Sequence, residues 1–233
     1  MTKLTWDAPG ERYYESGVDR GVLFYKNEGF AWPGLVSVAE NPTGGEPTPY
    51  YIDGYKYLNV ASAEEFEAAI EAFSSPTQFD ECNGTNQMYG GLRITQQPKK
   101  SFGFCYRTLI GNDIEGLQHG YKIHLVYNAL AGPLKRTYST LTDSGEAQVL
   151  SWDITTRAPK LDGFRPTAHF VVDTRYTDPA ILAAVEDLIY GTATTTPRQP
   201  RVAELLNMFG VPIYDAGELP NPNGDTILDG GLP

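Results

Sequence analysis

A chain of 233 residues with 18 basic and 29 acidic side chains has a formal charge of −11. A surface of that sign repels phosphate backbones and argues against a specific nucleic-acid binder. The length allows one large domain to bury roughly 70% of its unfolded surface, so a core needs neither a disulfide nor a metal.

The 24 glycines and 17 prolines are spread along the chain, the punctuation of many short strands joined by turns. Residues 1–30 read as a polar, aromatic arm that leads through Gly17-Val-Asp-Arg-Gly-Val-Leu-Phe-Tyr into a first strand. Trp32–Glu40 is a second strand, and 41–49 a Pro/Gly loop. Tyr50–Ile52 and Tyr55–Asn59 flank Asp53-Gly54, a strong hairpin signal.

The spacing then predicts a helix over 62–74. Ser62 and Glu65 have capping-box spacing, Phe66, Ala69, Ile70 and Phe73 form an i, i+3, i+4, i+7 stripe, and Pro76 follows. A long polar loop occupies 77–101. Phe102–Ile110 and Tyr121–Leu130 alternate with period two and are expected to pair antiparallel across a turn-rich connection. Glu146–Thr156 and Thr167–Asp173 alternate likewise, so each sheet is expected to have one apolar and one polar face.

Asp178-Pro179 opens a helix over 178–190, with Ile181, Val185, Leu188 and Ile189 as its buried stripe and Gly191 as its stop. Thr192–Pro200 is a linker, Arg201–Phe209 a short third helix, and 210–233 a Gly/Pro/Asp/Asn tail with little reason to fold alone. The fold class is therefore mainly β, an antiparallel sandwich or open barrel with two flanking helices. It divides into 1–30 (arm and first strand), 31–191 (the sandwich) and 192–233 (an extension). The expected core comprises Phe66, Ile70, Phe73, Phe104, Tyr106, Ile123, Leu125, Leu150, Trp152, Ile154, Phe170, Val172, Val185 and Leu188.

No catalytic constellation holds together. The sequence has no phosphate-cradling Gly-rich motif, no nucleophile elbow and no carboxylate pair that sequence can select. Asn221-Pro-Asn-Gly-Asp lacks the distal Glu and flanking helices of a calcium loop. Cys82 and Cys105 lack metal-ligand spacing, and Cys105 sits in an apolar run as a core residue. His119 and His124 are an odd number of residues apart, hence on opposite faces of a continuing strand, which argues against a shared metal. His169 is read, like them, as a surface or satisfied histidine. No cofactor, metal or enzymatic activity is expected. The N-terminus lacks an apolar signal region and no stretch is long enough to span a bilayer, so synthesis in a reducing cytoplasm is expected. The Asn83-Gly-Thr sequon then carries no meaning.

Several segments together resemble the major tail proteins, or tail tube proteins, of long-tailed siphovirus-type phages of actinobacteria. They are Leu4-Thr-Trp-Asp-Ala-Pro-Gly-Glu-Arg with Gly17-Val-Asp-Arg-Gly-Val-Leu, Pro49-Tyr-Tyr-Ile-Asp-Gly-Tyr-Lys-Tyr-Leu-Asn, Ser62-Ala-Glu-Glu-Phe, Tyr106-Arg-Thr-Leu-Ile-Gly-Asn-Asp, Gly120-Tyr-Lys-Ile-His-Leu-Val-Tyr-Asn and Glu186-Asp-Leu-Ile-Tyr-Gly-Thr. They run in order to about residue 200; the chain beyond Arg201 matches less well.

The resemblance implies a structural virion protein. Six copies would close into a ring with a continuous inner β-barrel, and rings would stack into the tube through which DNA leaves the capsid. It implies other tail proteins as partners (tail-tip complex, tape measure, tail terminator). It places the protein in the virion tail, and in the host cytoplasm before assembly. The arm at 1–30 and the loops at 41–48, 77–101 and 131–146 become candidate contacts between copies. Two polar strand faces become candidate lumen linings: Ser151, Asp153 and Thr155 on one, Lys122, His124 and Asn128 on the other. The rival readings are another β-rich virion protein, such as a tail terminator or decoration protein, and a carbohydrate-binding β-sandwich.

Overall fold

A computed structural model describes residues 4–138, 140, 147–161 and 163–211, and over these the chain is mainly antiparallel β. β1 (Tyr14–Tyr25), β2 (Glu28–Trp32), β3 (Leu35–Glu40) and the two-residue β4 (Thr43–Gly44) come first. A hairpin of β5 (Pro47–Ile52) and β6 (Tyr55–Ala61) follows, then β7 (Glu64–Glu65) and β8 (Glu67–Ala72). The long loop holds the short β9 (Asn86–Gln87) and β10 (Arg93–Ile94). β11 (Phe102–Asn112), β12 (Gly116–Ala131), β13 (Leu150–Thr156) and β14 (His169–Asp173) complete the strands, before α1 (Pro179–Tyr190) and α2 (Val202–Met208).

Eight strands form the main sheet in the order β2-β1-β11-β12-β13-β8-β3, with β14 also paired to β12. The expected pairing of β11 with β12 is present, with Tyr106 opposite His124 and Cys105 opposite Leu125. β12 serves two neighbours on its other side: Lys122–Val126 pair with β14, and Ala129–Ala131 with β13. The switch falls at a bulge. Phe102 pairs Ala129 and Phe104 pairs Val126, so β12 carries one extra residue there, and Asn128 takes φ +50°. Asparagine tolerates this left-handed conformation, and the extra residue turns the strand and reverses which side chains face inward.

The sheet encloses a first core of Leu23, Trp32, Ile70, Phe79, Phe104, Tyr106, Val126, Trp152 and Ile154. Trp32 sits at its centre against Phe79, Phe104 and Trp152, with ring centroids at 4.6, 5.4 and 5.6 Å. A second core lies on the opposite side of the same strands, where Val22, Cys105, Ile123, Leu125 and Val172 meet Val185 and Ile189 of α1 and Leu205 of α2. The expectation of one apolar and one polar face per sheet is therefore corrected for β11 and β12. Helices cover their outer side, so both faces are apolar.

The segment 62–74 is not a helix. Glu67–Ala72 is a strand between β13 and β3, with Ala68, Ile70 and Ala72 buried in alternation. Its Glu and Ala residues favour helix, but two neighbouring strands supply its backbone partners and its period-two side fits the first core, and that context overrides propensity. Phe73, expected in the core, is 52% exposed. Ser62, expected to cap the helix, instead accepts a hydrogen bond from the Gly45 amide at 3.1 Å.

α1 starts where expected: the Asp178 carboxylate accepts from the amides of Ala180 (2.8 Å) and Ile181 (3.4 Å). Gly191, at φ +76°, ends it. The short helix expected over 201–209 is α2, and its Leu205 is buried. Of the remaining expected core positions, Phe66, Leu150 and Phe170 are half-buried against one core or the other, and Leu188 is half-buried on α1. Beyond residue 211 the expected tail lies outside the described residues, as do 139 and 141–146 of the loop at 131–146.

Candidate functional site

Cross-strand register decides which side chains share a surface. On β13, Trp152 and Ile154 point into the first core, so Ser151, Asp153 and Thr155 point out. Their partners across the ladder are Glu71, Ala69 and Glu67 of β8, and beyond these lie Ser37 and Ala39 of β3. These eight residues form a polar sheet face, each half-exposed or exposed. Ser37 Oγ donates to Glu71 Oε2 at 2.8 Å, and Lys135 Nζ pairs with Asp153 Oδ2 at 2.6 Å. Three carboxylates against one ammonium give the face an acidic balance. The outer surface of the main sheet is thus divided: helices cover the β1, β11, β12 and β14 part, while among the described residues the β13, β8 and β3 part is bare and polar.

Lys122, His124 and Asn128 do not join this face. Lys122 and His124 lie on the inner side of β12; Lys122 pairs with Glu15 at the rim, and His124 is 6% exposed and stacked on Tyr106. Asn128 is the bulge residue, and its Nδ2 donates to the Arg157 carbonyl at 3.2 Å. Ser37, Glu67 and Glu71 join the face unforeseen: a helix over 62–74 would not set Glu67 and Glu71 beside β13, and Ser37 reaches the face only through the pairing of β3 with β8.

His119 sits elsewhere, 2.7 Å from Glu115 and stacked on Tyr13. Burial pushes the Cys82 thiol up to about 12, and raises that of the buried Cys105 as well; both cysteines are free.

The hairpin β5–β6 is the second surface. Its turn has Asp53 at φ +49° and Gly54 at φ +81°, which suits a tight two-residue connection. Among the described residues the two strands pair only with each other, and all their side chains are exposed. Tyr50, Tyr51, Ile52, Tyr55, Tyr57, Leu58 and Val60 present large apolar surface that nothing in the described chain covers. The alternating aromatics of 49–60 were the available signal, but sequence could not show that no core receives them.

The loop at 77–101 is held at both ends. Tyr25 and Lys26 bond the Glu81 carboxylate at 2.7 and 2.9 Å, and Lys99 Nζ donates to the Ala131 carbonyl at 2.8 Å. Between these anchors Met88, Tyr89 and Leu92 are exposed. Among the described residues no helix is long and apolar enough to cross a membrane.

No protein-family model matches the chain, and no curated protein matches it. Solved structures do. One is the sheath–tube complex of an extracellular contractile injection system, PVC, in its extended state: 12% identity, TM-score 0.40, covering 66% of this chain and 89% of that one. Another is the tube-terminating cap of the anti-feeding prophage: 8% identity, TM-score 0.39, covering 75% and 96%. A third is Hcp1 from Flavobacterium johnsoniae: 8% identity, TM-score 0.31, covering 67% and 95%. At these identities and scores the likenesses assign this chain neither a family nor a function.

Proposed function

We propose that this protein is a structural subunit of a long-tailed phage tail, and that copies of it close into hexameric rings that stack as the tail tube. The observation that carries the reading is the free hairpin β5–β6. A two-stranded ribbon is marginal alone in water, and one bearing seven large exposed apolar side chains needs a partner surface. The ends of the main sheet support the same reading. Among the described residues β2 is paired only to β1 and β3 only to β8, so each offers an unpaired edge that a neighbouring copy can complete.

In this reading the bare face of β3, β8 and β13 lines the lumen. Its small and acidic side chains make no lasting ion pairs with phosphate, so DNA passes without sticking. The arm and the loops at 41–48, 77–101 and 131–146 join the hairpin as contacts within and between rings. The protein resides in the virion tail, and its other partners are the tail-tip complex, tape measure and terminator. The experiment is negative-stain electron microscopy of the purified protein, alone and with tail-tip complexes, beside light scattering over a concentration series. Hollow tubes or stacked rings support the proposal. Single closed rings that never stack would make it a terminator instead, and persistent monomers with tail-tip complexes present would overturn it.

A further inference from the structure

The sequence contains three histidines, and the fold brings two of them together with a carboxylate from a third strand. His124 Nδ1 on β12 lies 3.1 Å from His169 Nε2 at the start of β14, and 3.5 Å from Glu40 Oε1 at the end of β3. The three ligand atoms all lie within 4.8 Å of one another. We propose that Glu40, His124 and His169 bind a divalent transition-metal ion of the zinc type, tying β3 to β12 and β14.

The geometry suits such an ion. Zinc binds imidazole nitrogen at about 2.0–2.1 Å with tetrahedral angles, which separates neighbouring donors by about 3.3 Å. The observed 3.1 and 3.5 Å bracket that value. Two imidazoles and one carboxylate are the ligands of zinc, nickel or copper, whereas calcium and magnesium need oxygen ligands throughout.

The surroundings orient the ligands. Thr108 Oγ1 is 3.0 Å from His124 Nε2; accepting the Nε2 proton, it leaves the Nδ1 lone pair aimed at the cluster. The Tyr106 hydroxyl donates to Glu40 Oε1 at 2.5 Å, and Tyr106 and Phe66 cover the rings of His124 and His169 at 4.5 and 4.3 Å. Outer partners of this kind fix ring orientation in metal sites. The Glu40 side chain is 39% exposed, so an ion can enter beside it and a water can take the fourth position.

The competing account is a metal-free hydrogen-bonded histidine pair. The test uses the full chain, purified without a histidine tag and stripped with chelator. Zinc is titrated by calorimetry, cobalt(II) by its visible absorption, and thermal unfolding is followed with and without zinc. The expected result is one equivalent bound, the intense d–d bands of tetrahedral cobalt, and a higher unfolding midpoint with metal. His169→Ala should abolish binding, Thr108→Val should weaken it by about 10- to 100-fold, and His119→Ala should leave it unchanged. Should His169→Ala fail to fold, Glu40→Gln removes a half-exposed ligand charge and should weaken binding by at least about 10-fold. Absence of saturable one-equivalent binding overturns the proposal, as does binding that is undiminished in His169→Ala or Glu40→Gln.

Discussion

Asp153 stands on the bare acidic face with its carboxylate 2.6 Å from Lys135. Replacing it with lysine sets two ammonium groups side by side on a surface proposed to face DNA. Both groups are exposed, so the fold should tolerate the change. The expected outcome is intact tubes and slower genome release from particles carrying the variant, measured as DNA-release kinetics. Normal release and infectivity from intact tubes would remove Asp153 from the lumen. A different residue tests the seating of α2. Arg198 bonds Glu204 twice, at 2.6 and 2.8 Å, and the Arg201 amide adds a third bond at 3.2 Å. The guanidinium, more than the amide, holds the Glu204 carboxyl below its ordinary value of 4.5. A depressed carboxylate stabilises the fold above its unfolded pKa and loses that contribution as pH falls through the folded one. Glu204→Gln should therefore cost about 1 kcal/mol at neutral pH, discounted for its partial exposure. The gap to wild type should close at pH well below 4.5; urea midpoints on either side of that value read it out. A gap that persists in acid would assign the effect to packing.

At the scale of elements, β8 is the informative case. Were Ser62–Ser74 helical, Ile70 and Phe73 would share one buried stripe and both would be costly to truncate. In the strand, Ile70 is fully buried between Val38 and Trp152 while Phe73 is 52% exposed. Ile70→Ala should cost about 2–5 kcal/mol, and Phe73→Ala less than about 1 kcal/mol. Denaturant unfolding of the two variants decides; equal costs would contradict the strand. The bulge at Asn128 matters at this same scale. It moves Val126 and Ala129 to one side of β12 although they are three residues apart, and it hands the strand from β14 to β13.

For the molecule as a whole, the hairpin separates folding from assembly. Tyr55 and Tyr57 are 82% and 69% exposed and contribute to neither core. The double variant Tyr55→Glu/Tyr57→Glu should keep the wild-type unfolding midpoint and lose polymerisation, followed by thermal unfolding beside electron microscopy. Tubes from the double variant would exclude these tyrosines from the contacts, and a large fall in midpoint would mean that the hairpin serves the fold.

The sequence by itself determined the mainly β class, the hairpin at Asp53-Gly54, the pairing of β11 with β12, α1 between Asp178 and Gly191, and the outward row Ser151, Asp153 and Thr155. Each of these is local: a turn residue, a cap or a period-two alternation within one strand is written in consecutive residues. Only the tertiary structure decided the rest. Glu67–Ala72 became a strand because β3 and β13 flank it, although its own residues favour helix. β11 and β12 proved apolar on both sides because α1 and α2 cover the side that carries Cys105, Ile123 and Leu125, while His124 and Val126, which alternation had assigned to the polar side, face the first core. His124 met His169 and Glu40 through register across three strands, and register is set by pairing and bulges, which no spacing along one strand can reveal.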